Sequence, residues 1–167
     1  MRYHFCPKCG SKLTLNEQQD KNKPLCQGCG FIFYQNPIVG VAAILIKDKK
    51  ILLGKRNISY KGKWCIPCGY VEWDEDIYSA IKREFYEETG LIITPKSVYT
   101  ALSNFHNPEQ HTVGIWFLVN EVDGTMKAGD DLDEVQFFNF RDIEEEKIAF
   151  PTDWIVLNKL KEENLIE

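Results

Sequence analysis

Acidic side chains between Glu75 and Leu91 are the first residues in this sequence whose types and spacing could carry out chemistry. At about 100° per residue in a helix, Glu84 and Glu88 fall on the same stripe as the apolar residues Ile77, Ala80 and Ile81. The apolar half of this stripe is expected to face the core, so the two glutamates are expected to turn away from open solvent. Because like charges four residues apart on a helix repel each other, something must compensate them.

Two kinds of partner could neutralise these carboxylates. Arg83 is adjacent and can bind one carboxylate in a bidentate manner. Divalent cations would bind the others, and ligands made only of oxygen favour Mg²⁺ or Mn²⁺ over zinc. Such ions would neutralise phosphate charge, position water and lower its pKa, while a carboxylate of the cluster could accept the proton. The alternative is an acidic helix that is only a solvated surface.

The spacing of these residues resembles that of a known family. The stretch from Gly69 to Leu91 follows the pattern G-x5-E-x7-R-E-U-x-E-E-x-G-U, where U is apolar. This looks like the Nudix box of metal-dependent hydrolases that cut diphosphate linkages. The stretch from Gly62 to Glu72 also resembles the segment that leads into this box in the family, although Cys68 and Trp73 stand where glycine is common. Neither difference touches a charged position.

The resemblance implies roles for individual residues. The catalytic metal ions would be carried by Glu84, Glu87 and Glu88. The backbone carbonyl of Cys68 would join their coordination sphere, Arg83 would orient a glutamate, and Glu75 would help to hold the loop–helix–loop unit. Many family members place a further glutamate where Glu134 stands, so Glu134 is either an additional ligand, the general base, or an exposed acid in an acidic loop.

Two cysteine pairs near the N terminus predict a second metal site. Both pairs have the form C-x-x-C followed by glycine, and they are Cys6/Cys9 and Cys26/Cys29. Their separation is typical of a four-cysteine zinc site, which is structural because no coordination position remains for water. Disulfide bonds are the alternative. The module resembles the zinc ribbon that precedes the catalytic domain in the NADH-pyrophosphatase branch of the family. It lacks a clear aromatic platform, which disfavours nucleic acid as a partner.

Five further residues have two interpretations each. Cys65 and Cys68 form a third C-x-x-C pair that is either redox-active or structural. His4 is either a bystander beside the first cysteine pair, as we expect, or a fifth metal ligand. His106 and His111 are either surface histidines or contacts to a phosphate or a base in the cleft.

Length, charge and the distribution of apolar residues indicate the class of protein and its domains. The chain has 167 residues and a net charge of −5, which gives no support to polyanion binding as its main function. No signal peptide and no apolar run of membrane-spanning length is evident, so we expect a cytoplasmic protein. We predict a zinc ribbon over residues 1–35 and a Nudix hydrolase domain over residues 36–167, the latter an α/β/α sandwich.

The pattern of apolar residues and turn signals predicts the elements of that sandwich. The expected strands are Val39–Ile46, Ile51–Leu53, Ser97–Ser103, Thr112–Asn120 and Val135–Phe140, with a turn over Lys47–Lys50. The helix of the box is expected from about Asp76 to Thr89, capped by Asp74 and ended by Gly90. A terminal helix is expected after Pro151, with Thr152 or Asp153 as its cap.

The expected function is hydrolysis of the diphosphate bridge in a small nucleotide such as ADP-ribose, FAD or a related dinucleotide. The NADH-specific run S-Q-P-W-P-F-P-x-S is missing from residues 100–108, which favours ADP-ribose or FAD over NADH. A pyrophosphatase that removes unwanted nucleoside triphosphates is one alternative, and a non-catalytic nucleotide sensor or nucleic-acid-binding regulator is another. A homodimer is compatible with the sequence.

Overall fold

The chain divides into two compact units, Met1–Pro37 and Ile38–Glu167. The computed structural model describes residues 3–16 and 23–167. The predicted boundary lay between residues 35 and 36. Within the part of the chain that the structure describes, no helix has the length and apolar character that a bilayer crossing requires.

The first unit is built around two similar turns. Strands β1 (Leu13–Leu15) and β2 (Pro24–Cys26) pair in antiparallel fashion. Gly10 and Gly30 have φ angles of 74° and 72°, which glycine adopts without a steric penalty. Their amides donate to the carbonyls of Cys6 and Cys26, each at 2.9 Å. The C-x-x-C-G spacing therefore produces the same tight turn twice, and each turn carries one buried and one exposed cysteine.

The second unit is dominated by a mixed sheet. Its strands are β3 (Ile38–Lys47), β4 (Lys50–Arg56), β5 (Trp64–Cys65), β6 (Cys68–Tyr70), β7 (Leu91–Asn104), β8 (Thr112–Gly124) and β9 (Leu132–Phe138). The order is β5-β4-β3-β8-β7, with β6 also pairing with β3 and β9 with β4. Strands β3 and β8 are parallel, from Ile38 opposite Thr112 to Leu45 opposite Val119. The other strand pairs of this sheet are antiparallel.

The predicted turn between β3 and β4 agrees with the structure, whereas the predicted start of β7 does not. The turn between β3 and β4 is confirmed, since Asp48 and Lys49 take φ angles of 50° and 62°, as a two-residue hairpin connection requires. Strand β7 starts at Leu91, earlier than the predicted Ser97. Pro95 interrupts the apolar alternation there, and the strand accommodates it through a register shift between Pro95 and Ser97, as bulges permit.

Helix α1 (Ile77–Thr89) carries the box. Its cap is Asp76, whose Oδ1 accepts from the amides of Tyr78 at 2.9 Å and Ser79 at 3.2 Å. The prediction of Asp74 as cap is therefore wrong, because the helix begins later than expected and the capping residue must directly precede it. The predicted end is confirmed, since Gly90 has a φ of 69° and its amide donates to the Tyr86 carbonyl.

Helix α2 (Pro151–Glu162) also has a different cap from the one predicted. Phe150 occupies the cap position without a side-chain hydrogen bond. Asp153 lies inside the first turn, where its Oδ2 accepts from the Ile66 amide at 2.9 Å and its Oδ1 accepts from the Trp116 indole at 3.2 Å. Asp153 is thus a buried acceptor for two distant donors. Burial raises its pKa to about 7 against the effect of those hydrogen bonds.

The two helices cover opposite faces of the sheet. Successive residues of β3 alternate between two cores: Val41, Ala43 and Leu45 pack with α1, whereas Ala42 and Ile44 pack with α2. This alternation follows from the period of two in a strand. The result is the α/β/α arrangement that the sequence predicts, and it carries the box helix along one face of the central strand.

Candidate active site

A cavity of about 480 Å³ lies beside the N-terminal half of β3. Side chains from α1, β6, the loop after β7, the loop before β9 and the start of α2 line it. Its volume is in the range of small-molecule sites. Glu84 and Glu88 both reach this cavity, so the stripe of α1 that joins apolar and acidic residues is confirmed as a boundary between core and cavity.

Glu88 is the more deeply placed of the two, with only 1% of its surface exposed. Its Oε2 accepts from the backbone amide of Cys68 at 2.8 Å. Burial raises the pKa of Glu88 well above its ordinary value, and neighbouring Cys68 and Asp131 act in the same direction. A buried carboxylate without a cation is costly, so this position calls for a positive charge or a proton.

Glu84 lies against the backbone at Gly69. A Cβ atom at residue 69 would stand 2.0 Å from Cδ of Glu84, so only glycine leaves room for the carboxylate. Burial raises the pKa of Glu84, while Arg83 acts against this. The first glycine of the box therefore has a packing role that its place in the motif does not reveal.

Arg83 organises the rim of the site. Its Nε and Nη2 donate to the two carboxylate oxygens of Glu75 at 2.9 and 2.7 Å. The predicted bidentate pair is thereby confirmed, with Glu75 as the partner, and hydrogen bonding to Arg83 lowers the pKa of that carboxyl. Nη1 approaches Glu84 at 2.9 Å and Glu87 at 3.1 Å. Glu87 remains half-exposed at the rim and does not line the cavity.

Asp130 and Asp131 are cavity residues that the sequence did not single out. Asp131 forms an ion pair with Arg56, which is only 7% exposed. The other oxygen of Asp131, Oδ1, is buried without a hydrogen-bond partner. A buried acceptor of this kind needs a partner, and a cation beside Glu88 would supply one. The acidic run before β9 was visible in the sequence, but nothing local distinguished its members.

Glu134 stands elsewhere. Its carboxylate approaches Lys55 Nζ at 3.6 Å across the β4–β9 pair and is 49% exposed. It does not line the cavity. The structure therefore places Glu84, Glu88 and Asp131 on one cavity, although their oxygens do not all lie within 4.8 Å of one another, and it leaves Glu134 outside.

The donors in the cavity fit a hard cation. They are carboxylate oxygens from α1 and from the loop before β9, and one of them is the unpartnered Oδ1 of Asp131. Magnesium commonly keeps several waters and shares phosphate oxygens, so a few protein carboxylates suffice.

The backbone at Cys68, where glycine is common in the family, is unstrained. Cys68 has no positive φ, so a side chain fits at this position.

The four N-terminal cysteines form a separate cluster. All four sulfurs lie within 4.8 Å of one another, and among the described residues this is the one such group of His, Cys, Asp or Glu ligands. The Cys6–Cys29 and Cys9–Cys26 sulfur distances are 3.8 and 3.4 Å. Tetrahedral thiolates at about 2.3 Å from zinc would stand about 3.8 Å apart, whereas a disulfide needs about 2.05 Å. The cluster thus fits structural zinc, and none of the six cysteines forms a disulfide bond.

The remaining candidates fall in different places. Cys65 is buried, with Arg56 Nη1 at 3.9 Å from its sulfur. His106 lines the cavity, whereas His111 packs edge-on against Phe105 at 4.9 Å between ring centroids. His4 is exposed and lies outside the four-sulfur cluster. The redox interpretation of Cys65 and Cys68 stays a prediction.

Comparisons with known proteins agree with this geometry. The family model described as NUDIX domain matches residues 36–159, and the family model described as Nudix N-terminal matches residues 4–35. An ADP-ribose pyrophosphatase from Methanocaldococcus jannaschii is 38% identical over 133 residues, covering 78% of each chain. The NAD-capped RNA hydrolase NudC from Vibrio cholerae is 31% identical over 90 residues, covering 54% of this chain but only 33% of that longer protein.

A solved structure extends the similarity to nearly the whole chain. The crystal structure of a NUDIX hydrolase from Nitrosomonas europaea superposes with a TM-score of 0.84 at 31% identity, covering 96% of this chain and 92% of that one. The similarity thus extends over both compact units of this chain. The chain belongs to the Nudix family, as a Nudix hydrolase with an N-terminal zinc-ribbon module.

Proposed function

We propose that this enzyme hydrolyses the diphosphate bridge of a nucleoside diphosphate derivative, with ADP-ribose as the first candidate, to give two monophosphates. The observation that carries the proposal is the convergence of Glu84, Glu88 and the unpartnered Oδ1 of Asp131 on one cavity. The ADP-ribose pyrophosphatase from M. jannaschii, at 38% identity, supports the choice of substrate. In this proposal residues 1–35 serve as a zinc-stabilised module and residues 36–167 as the hydrolase.

Glu84, Glu88 and Asp131 would hold Mg²⁺ or Mn²⁺. When bound, these ions would neutralise the bridging phosphates and polarise the attacking water. Glu88 is fixed by the Cys68 amide, which suits a permanent ligand. Glu84 is 13% exposed and is held between Gly69 and Arg83, so water can reach it. Because it is the more accessible of the two helix carboxylates, we assign it the proton that the attacking water loses.

Arg83 positions these groups without occupying the cavity floor. Its bidentate bond to Glu75 fixes the guanidinium, and its remaining Nη1 hydrogens are aimed at Glu84 and Glu87. Nη2 also donates to the carbonyl of Tyr70 at 3.1 Å, which ties α1 to β6. Glu75 and Arg83 therefore hold the loop and the helix in register while the buried carboxylates do the chemistry.

The test is hydrolysis of ADP-ribose, FAD, NADH and deoxynucleoside triphosphates with Mg²⁺ or Mn²⁺, with products resolved by chromatography. We expect AMP and ribose 5-phosphate from ADP-ribose, and loss of this activity in Glu88→Gln. Glu134→Gln is the comparison variant, because that carboxylate lies outside the cavity, and it should keep near wild-type turnover. Pyrophosphate released from a deoxynucleoside triphosphate instead would replace the proposal with nucleotide sanitation. Binding without any hydrolysis would indicate a sensor.

A further inference from the structure

Three rings from three separate segments form a continuous wall along the cavity, which we call the aromatic wall: Tyr60, His106 and Phe150. The ring centroids of Tyr60 and His106 are 5.6 Å apart, those of Tyr60 and Phe150 are 5.3 Å apart, and those of His106 and Phe150 are 5.7 Å apart. Tyr60 precedes β5, His106 follows β7, and Phe150 precedes α2. The fold thus assembles the wall from positions remote in sequence.

Core packing does not account for the aromatic wall. Tyr60 is 41% exposed, His106 is also exposed, and only Phe150 is partly buried. Tyr60 even holds a φ of 55°, a conformation that non-glycine residues rarely take. Exposed rings that line a cavity offer stacking surface to a ligand. Partial burial lowers the pKa of His106, which favours an uncharged imidazole near neutral pH.

The aromatic wall is fixed to the acidic cluster through Arg56. The guanidinium carbon of Arg56 lies 5.2 Å from the ring centroid of Phe150. Its Nε donates to the Ser59 carbonyl at 2.9 Å and its Nη2 donates to Ser59 Oγ at 2.8 Å and to Asp131. One rigid side chain therefore connects the wall to the carboxylate that faces Glu88, and a ligand touching both would meet a preformed surface.

Polar groups beside the aromatic wall have the chemistry that reads base edges. The side chain of Asn104, at the end of β7, and those of Asn107 and Gln110, on the loop that carries His106, line the same cavity. Carboxamides pair with the donor and acceptor edges of nucleobases. Rings with neighbouring carboxamides favour a flat heterocycle.

We propose that the aromatic wall is the nucleobase subsite of this enzyme: the base stacks on the His106 ring and meets Tyr60, whose ring plane is turned by 65° from that of His106, through an edge contact, while the phosphates lie over Glu84 and Glu88. The inference deepens the proposed function and rests on it for the orientation of the phosphates. It assigns substrate selection to residues outside the box. Compounds that share the diphosphate but lack a base should bind poorly.

The test compares AMP with ribose 5-phosphate, which differ only by the base, and measures their binding by calorimetry or NMR titration in the presence of Mg²⁺. The wild type should bind AMP more tightly. His106→Ala and Tyr60→Leu should each weaken the affinity for AMP by about tenfold, the scale of one base–aromatic contact, and leave the affinity for ribose 5-phosphate unchanged. Phe105→Ala is the matched control, since this neighbouring ring is 64% exposed but does not line the cavity.

The outcomes separate the inference from the proposed function. Equal affinity of the wild type for AMP and ribose 5-phosphate would overturn the subsite, as would equal losses for both ligands in the wall variants or an AMP loss in Phe105→Ala of the same size. Because binding is read without turnover, an AMP-selective loss supports the subsite even if ADP-ribose is not hydrolysed. Unchanged binding of ribose 5-phosphate checks that a loss of AMP binding in His106→Ala or Tyr60→Leu is not misfolding.

Discussion

Replacing Gly69 with alanine should disable catalysis and leave the fold intact. The added Cβ would stand 2.0 Å from Glu84 Cδ and 2.1 and 2.3 Å from its two oxygens. Gly69 has no positive φ, so alanine can adopt the backbone conformation. The clash is confined to the far end of a flexible side chain, which can swing away at little cost to stability.

The size of the effect follows from the displacement. Ordinary contact begins near 3.4 Å, whereas the nearer carboxylate oxygen stands at 2.1 Å, so this oxygen must move by 3.4 − 2.1, or about 1.3 Å. Misplacement of a catalytic group by about 1 Å costs on the order of 100-fold in rate. We therefore expect kcat/KM for ADP-ribose to fall about 100-fold, with a free energy of unfolding within about 1 kcal/mol of the wild type.

Gly40→Ala provides the control for this experiment. Gly40 lines the same cavity from β3, and a Cβ there would meet its nearest atom, the Gly69 carbonyl oxygen, at 3.5 Å. Steady-state hydrolysis and urea denaturation should show both properties nearly unchanged in Gly40→Ala. Full activity in Gly69→Ala would refute the claim that catalysis depends on the position of the Glu84 carboxylate. Loss of folding in Gly69→Ala would refute the claim that the carboxylate can move freely.

Three further predictions address other parts of the molecule. Asp131→Asn should weaken Mn²⁺ binding, followed by electron paramagnetic resonance, by at least about tenfold, and unchanged affinity would remove Asp131 from the metal site. Asp153→Asn should stay within about 1 kcal/mol of the wild-type free energy of unfolding at low pH, because the amide is a neutral near-isostere of the protonated carboxyl that faces the Ile66 amide and the Trp116 indole. The pKa of Asp153 is raised to about 7 from an ordinary 3.8, so the folded state holds a proton that the unfolded state loses, and wild-type stability falls as pH rises from about 4 to 7. The free energy of unfolding of the wild type relative to Asp153→Asn, measured by urea denaturation, should fall over that range, and a constant difference would contradict the assignment. Chelation of zinc, measured as released metal, should unfold the four-cysteine module while residues 38–167 still unfold cooperatively, and resistance of the module to proteolysis after chelation would contradict a structural metal.

Local patterns gave the parts of the fold that depend on neighbouring residues. The helix that ends at Gly90, the two-residue turn at Asp48 and Lys49, and the repeated cysteine turns all follow from short-range geometry. The sequence predicted that Arg83 binds one carboxylate in a bidentate manner, and that carboxylate belongs to Glu75 in the loop that precedes α1. These features need no knowledge of distant strands.

The misses share a different cause. Asp153 resembles a helix cap in sequence, yet its partners are Ile66 and Trp116, which lie on other elements. Asp131 and Glu134 are three residues apart in one acidic run, and only the pairing of β9 with β4 sends Glu134 to Lys55 and leaves Asp131 in the cavity. An acid's role depends on what faces it across the fold, and that information is non-local.

The parallel pairing of β3 with β8 also links assembly of the cavity to formation of the sheet, and so it affects when during folding the enzyme becomes active. Parallel strands need a long crossover, and here that crossover contains α1 with Glu84 and Glu88. Asp131 follows β8, while Cys68 precedes the helix, so the cavity closes only after contacts of high sequence separation have formed. Such contacts form slowly. During refolding, hydrolysis should therefore appear with the slowest phase that restores the sheet, after helical structure has returned.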